Sequence, residues 1–212
     1  MDSFITLSCE GNSKTEVKQS VFIGKAVSIS SPEEANDFVK EQRSLYPDAR
    51  HTVYAWKLSG DLNMQKYSDD GEPSGTAGMP VLSILEHAGI TNAAVAVTRY
   101  FGGILLGKGG LVRAYTDCAR QAVINAVPVR MTEGVELSVK VPYQMSDKVL
   151  FELTNLPCSV GGTEYLQDVC YKVNVESSNI EAVTSRLTDI TSGVAVITKG
   201  DIIMIKGGEI LL

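Results

Sequence analysis

The chain has 212 residues, with 19 Lys and Arg against 25 Asp and Glu, for a formal net charge of −6. Hydrophobic residues make up 44% and charged residues 21%, ordinary globular usage that excludes a disordered or fibrous chain. A pI near 5.0 argues against a protein that coats nucleic acid through global charge, though it leaves room for a local basic patch. Cys9, Cys118, Cys158 and Cys170 form no C-x-x-C pair, and His51 and His87 are the only histidines. A zinc ribbon, a His-rich metal site and a disulfide scaffold are therefore not expected. No basic leader with an apolar run follows Met1, and no apolar stretch reaches the roughly 18 residues of a membrane span. A soluble, cytoplasmic protein without membrane contact is the expectation.

In chain order, residues 3–9 and 17–29 are rich in β-formers. The turn chemistry of Gly11-Asn12-Ser13-Lys14 predicts that they pair as a hairpin. Ser31-Pro32-Glu33-Glu34 signals a helix start, with Ala35, Phe38, Val39, Gln42 and Leu45 on one face and Pro47 ending it. Residues 50–58 read as a strand and 59–75 as a loop. A helix from about Thr76 or Pro80 runs to His87, stopped by Gly89. Asn92–Thr98 is a buried strand and Gly102–Gly110 a second loop. The next helix is the cleanest: Leu111, Ala114, Tyr115, Cys118, Ala119, Ala122, Val123 and Ala126 fall on one helical stripe.

The second half changes character. Strands at 134–142, 158–166, 168–176 and 193–205 alternate with helices at 143–156 and 178–191. The order β-α-β-β-α-β is the ferredoxin-like pattern. The prediction is an α+β protein of two domains, residues 1–132 and 133–212. Residues 1–135 carry −2 and residues 136–212 carry −4. The more acidic C-terminal part is the poorer surface for RNA and the better one for protein contact.

Nine of the 19 glycines lie between Gly71 and Gly110, more than twice what even spacing gives. They bracket two constellations. The first is Ser68-Asp69-Asp70-Gly71-Glu72-Pro73-Ser74-Gly75-Thr76-Ala77-Gly78. Its three close carboxylates repel one another unless a cation or basic side chains neutralise them. It fits a divalent-ion or basic-partner site, and equally a solvated turn or an acidic loop paired with Arg or Lys of the same domain. The second runs from Arg99 to Tyr115 through Gly102, Gly103, Gly107, Lys108, Gly109, Gly110 and Arg113. Glycines let backbone N–H groups approach a ligand, and a helix N-terminus carries partial positive charge. Lys108 and Arg113 at that end are disfavoured unless an anion binds. The anion could be external, or it could be Asp69, Asp70 or Glu72. Neither G-x-x-x-x-G-K-[ST] nor G-x-G-x-x-G is present. Residues 98–120 carry +3, and with Tyr100 and Phe101 they resemble the mixture of cations and stacking faces that binds single-stranded nucleic acid. Spacings of three and four among Arg113, Asp117 and Arg120 also fit ordinary surface ion pairs. His51 reads as a hydrogen-bonded strand residue or a base.

Together, Ala49-Arg50-His51, Ser68-Asp69-Asp70-Gly71-Glu72-Pro73, Gly75-Thr76-Ala77-Gly78-x-Pro80 and the Arg99–Tyr115 stretch resemble the signature of the IMPACT family, in its bacterial two-domain branch. One departure is Ser20-Val21-Phe22, where the family often has Ser-Arg-Phe. The resemblance implies an N-terminal α/β sandwich like domain 2 of a small-subunit ribosomal protein. It implies a ferredoxin-like C-terminal domain similar to a late domain of elongation factor G. It also implies a link to translation, since eukaryotic relatives regulate translation during amino-acid starvation by binding a protein partner.

The leading expectation is a non-catalytic protein that binds RNA or a ribosomal or translation-factor partner. The expected site is a groove with two sides. Arg99, Tyr100, Gly102, Gly103, Gly107, Lys108, Gly109, Gly110 and Arg113 form the anion-binding side. His51, Tyr54, Asp69, Asp70, Glu72, Ser74 and Thr76 form the acidic loop and its neighbours. No catalytic residue, metal or cofactor is assigned. The alternative is a phosphotransferase or hydrolase with phosphate on the glycine loop, Mg²⁺ at residues 69–72 and His51 as base. Pairing of the carboxylates with Arg99 or Arg113 would remove most of its support.

Overall fold

The computed structural model describes residues 3–60 and 63–210, which divide into two compact units built on Phe4–Arg130 and Met131–Gly207. The first unit holds β1 (Ser3–Leu7), β2 (Gly11–Val17), β3 (Ser20–Ser28), α1 (Pro32–Leu45), β4 (His51–Lys57) and β5 (Gln65–Ser68). It continues through α2 (Gly78–His87), β6 (Ala93–Tyr100) and α3 (Gly107–Asn125). The chain passes into the second unit within β7 (Pro128–Val141). There follow α4 (Tyr143–Asn155), β8 (Cys158–Tyr165), β9 (Val169–Glu176), α5 (Ile180–Ile190) and β10 (Val196–Glu209).

An antiparallel sheet in the order β2-β3-β6-β4-β5 organises the first unit. On one face Phe22, Val53, Val95 and Val97 pack with Leu82 and Leu85 of α2 and the small-residue stripe of α3. On the other, Trp56, Ala94 and Ala96 pack with Ala35, Phe38 and Val39 of α1. Period-two alternation along β6 divides its side chains between the two faces. In the second unit β10, β7, β9 and β8 lie in that order, and β7–β9 and β8–β9 are antiparallel. Numbered within the unit this is strand order 4-1-3-2, so the β-α-β-β-α-β reading and the mixed α+β class hold.

Three local readings change. The hairpin is β2–β3, turning at Lys18-Gln19, not a pairing of residues 3–9 with 17–29 through Gly11–Lys14. Lys18 and Gln19 have φ of 46° and 64°, the left-handed pair of a two-residue hairpin turn, without the Asn-Gly chemistry that announces one. Gly11 is a strand residue that looked like a turn because α3 leaves it no room. A Cβ there would lie 2.0 Å from the Ala122 carbonyl oxygen. Residues 65–68 of the expected loop form the edge strand β5, and α3 begins at Gly107 rather than Leu111.

Ser31 caps α1 by accepting from the Glu34 N–H at 3.2 Å, as its sequence indicates. Ser13 Oγ donates to the Cys118 carbonyl at 2.7 Å and ties the hairpin to α3. Burial pushes the Cys118 thiol up, which leaves it a packing residue rather than a nucleophile. Because the hairpin and α3 meet backbone to backbone, Gly11→Ala should lower stability by about 1–3 kcal/mol. A urea titration checks this, and an unchanged midpoint would contradict the close approach.

Candidate functional site

The two motif loops meet beneath the start of α3, and each acidic residue is held there by donors of the protein itself. Asp69 accepts from the backbone N–H groups of Gly75, Ala77 and Gly78 at 2.9, 3.0 and 2.8 Å. It thereby caps α2 from outside the helix, where a carboxylate is favoured. Asp70 accepts from the Thr52 N–H at 2.7 Å and from Arg43 Nη2 at 2.6 Å. Its backbone carbonyl accepts from His51 Nδ1 at 2.7 Å, which fixes the ring's tautomer.

Glu72 reaches furthest in. Its Oε1 accepts from Arg99 Nη1 and from the Tyr115 hydroxyl, both at 2.7 Å, and the Glu72 and Arg99 side chains are only 4% and 7% exposed. Arg99 Nη2 donates to Ser20 Oγ at 3.3 Å. The guanidinium lies 5.5 Å from the Phe22 ring centre and 5.4 Å from that of Phe101. Burial first, then the Glu72 carboxylate, pushes the Tyr115 phenol up, so it stays a neutral donor. Arg99 Nε is buried with no acceptor among the described residues. Ser20 and Phe22 both serve Arg99, whereas position 21 pairs with Tyr100 on the alternate face. The family's frequent arginine at 21 would therefore lie away from this network.

Above the network is a cavity of about 410 Å³, lined by Arg50, His51, Glu72, Pro73, Arg99, Phe101, Leu105, Leu106, Gly107, Lys108 and Leu111. That volume lies in the range of roughly 300–1,000 Å³ typical of small-ligand sites. The N-cap of α3, Leu106, offers no side-chain acceptor, and the first turn holds no acid. The helix therefore opens with unsatisfied N–H groups and positive dipole. Among the described residues no acid forms an ion pair with Arg50, Lys108 or Arg113.

The structure divides the expected site. His51, Glu72, Arg99, Gly107 and Lys108 share the first cavity. Gly109, Gly110 and Arg113 line a second, of about 490 Å³, with Val17, Lys18, Leu106, Ala114 and Asp117. Arg99 belongs to the buried network rather than to a free cationic edge. Tyr100 and Tyr54 fall away by strand parity: Tyr100 stacks edge-on with Tyr46, and Tyr54 packs with the α1 cluster. Gly102 is a packing residue, since a Cβ there would lie 2.0 Å from the Gln19 carbonyl carbon. Gly103 lines neither cavity. Thr76 is buried and donates to the Pro73 carbonyl at 2.6 Å, while Ser74 is exposed and also lines neither cavity. Asp69 and Asp70 are structural, and no cluster of three or more metal-ligating side chains occurs among the described residues. Arg50 lines the first cavity without having been among the expected site residues. Its place in Ala49-Arg50-His51, just before a strand, is the signal that could have found it.

Removing the carboxylate should be costly. Glu72→Ala leaves Arg99 charged and buried without its partner, and a loss of about 3–5 kcal/mol is expected in a denaturant titration. Because the folded state holds the Tyr115 proton above its ordinary pKa of 10.0, that contribution is intact below pH 10 and falls as pH rises beyond it. Tyr115→Phe should remove this part of the alkaline loss, measured as the difference in urea midpoint between the two proteins from neutral to strongly alkaline pH.

Residues 18–123 match the Impact N-terminal domain and residues 139–194 match DUF1949, a domain of unknown function. IMPACT family member YigZ of Escherichia coli strain K12 is 34% identical over 176 residues, covering 82% of this chain and 86% of its own. The crystal structure of a hypothetical protein covers 95% of this chain and 98% of its own, at 31% identity and a TM-score of 0.60. The two-domain translational regulator Yih1 covers 57% of this chain and 46% of its own, at 27% identity and a TM-score of 0.37. With both domain models matched in order and a relative aligned over most of its length, the chain belongs to the IMPACT family.

Proposed function

We propose that this protein is a non-catalytic, translation-linked binding protein that takes RNA at the start of α3. The observation that carries the reading is the pairing of an uncapped 19-residue helix with unpaired cations at its first turns, Lys108 on one side and Arg113 on the other. Phosphate is the anion such a helix start accommodates. Phe101, 43% exposed at the cavity wall, supplies a face for a base. Family membership supports the link to translation, as does the resemblance to eukaryotic members that regulate it.

The phosphotransferase or hydrolase reading loses the groups it relied on. Asp69, Asp70 and Glu72 would have to leave seven short hydrogen bonds to hold Mg²⁺. An acidic surface on the ribosome or a translation factor is the other partner these cations could meet. The exposed Ile104 and Leu105 beside them, 44% and 82% exposed, favour it. No helix among the described residues is long and apolar enough to cross a membrane, and a cytoplasmic location is part of the proposal.

Fluorescence anisotropy of a short single-stranded RNA across a salt series tests the reading. Lys108→Ala and Arg113→Ala should each weaken binding. Each should also flatten the plot of log K against log salt by about 0.7 for every phosphate the variant no longer neutralises. Binding that is absent, or insensitive to salt, would overturn it.

A further inference from the structure

We infer that the first cavity holds a phosphate monoester on a nucleoside, supplied either as a free mononucleotide or as the 5′ end of an RNA. The inference rests on the RNA reading above and specifies which part of the nucleic acid is held. Charge comes first. Among its Arg, Lys and Glu side chains, Arg50, Arg99 and Lys108 against Glu72 give the cavity wall a net +2. A phosphate monoester carries about −1.5 to −2 at neutral pH, and an internal diester only about −1. The monoester matches the wall. The diester leaves it undercompensated, in a site where the helix dipole adds further positive potential.

Orphaned donors make the second argument. The first-turn N–H groups of α3 have no side-chain cap, and Arg99 Nε, on a side chain 7% exposed, has no acceptor among the described residues. Arg99 Nε is buried, where an unmatched donor is costly, while the first turn of α3 lies at the surface, where its N–H groups are open to a ligand. Arg99 and the first α3 residues, Gly107 and Lys108, line one cavity, so a ligand rich in acceptor oxygens suits this wall. Glu72 does not supply it, because its Oε1 is shared between Arg99 Nη1 and Tyr115.

Size and wall chemistry supply the rest. Proteins that track along a single strand do so in grooves of several nucleotides. A cavity of about 410 Å³ accommodates a ligand of roughly one nucleotide's size and favours an end over a passing chain. Phe101 and Leu105 present apolar surface beside the cations. In this arrangement the phosphate lies at the α3 N-terminus near Lys108 and Arg50, and the base lies against Phe101.

The test compares one short RNA sequence with a 5′-phosphate or a 5′-hydroxyl, using the full chain. AMP, UMP and a phosphoserine peptide serve as competitors. The phosphorylated RNA should bind about tenfold tighter or more. Lys108→Ala and Arg50→Ala should each shrink that ratio towards one, both being exposed positions that leave the fold intact by circular dichroism. Arg113→Ala, which lines the other cavity, should weaken both RNAs and keep the ratio. Competition by AMP and UMP as strong as that of the phosphorylated RNA identifies the soluble nucleotide as the source. Weak competition identifies the RNA end. Both support the monoester site. Equal binding of the two RNAs overturns the inference and leaves RNA binding standing. No binding of either RNA, with none of the nucleotides, overturns both. A preference that survives Lys108→Ala and Arg50→Ala overturns the assignment to this cavity, and tighter binding of the phosphoserine peptide replaces the nucleotide with a protein ligand.

Discussion

The buried contact between Arg99 and Glu72 is the constraint on which the first domain's site depends. Removing a guanidinium and a carboxylate from water costs several kcal/mol per ion, and an isolated pair at this depth recovers that only with further hydrogen bonds. Here they are present. Tyr115 donates to the carboxylate, Ser20 accepts from the guanidinium, and Phe22 and Phe101 lie within cation–π distance of it. These partners come from β3, the acidic loop, β6 and α3. One ion pair therefore sets the relative positions of four segments that are far apart in sequence. The cavity walls inherit their geometry from it.

The charges are sorted by depth. The carboxylates of the acidic loop turn inward, one to cap α2, one to hold the edge of β4, and one to neutralise Arg99. Arg50, Lys108 and Arg113 stay exposed without an acidic partner among the described residues. A chain with net charge −6 thus presents a locally positive concavity. A concave low-dielectric wall concentrates such potential. Global charge is a weak guide here, because the acids nearest the cavity are internally committed and most of the net charge, −4 of −6, lies in residues 136–212.

The glycines divide in the same way. Gly11 and Gly102 sit where neighbouring backbone leaves no space for a Cβ, and serve packing. Gly107 and Gly109 meet nothing within 4 Å and leave the first turn of α3 bare. In a sequence the two kinds look alike. The excess between residues 71 and 110 is partly the candidate site and partly the cost of bringing the segment after β6 close to the hairpin turn.

Much of this was legible in the residues alone. The α3 stripe from Leu111 to Ala126, the Ser31 cap and the ferredoxin-like order follow from local periodicity and capping chemistry, which act over a few residues. So does the grouping of the acidic and glycine motifs into one region. Local chemistry could not decide which carboxylate meets which cation, since Arg99 lies 27 residues from Glu72 and Tyr115 lies 43 from it. Nor could it decide that Tyr54 and Tyr100 face α1, because strand parity becomes a direction only once the sheet has helices on both sides. The Lys18-Gln19 turn and the packing role of Gly11 were invisible for a related reason: both are set by what the partner strand and α3 require. The sequence by itself determined most of the elements, the family and the neighbourhood of the candidate site. The tertiary structure decided which charges neutralise one another and which remain available to a ligand, because pairing depends on distance in space, and burial sets what each unpaired charge costs.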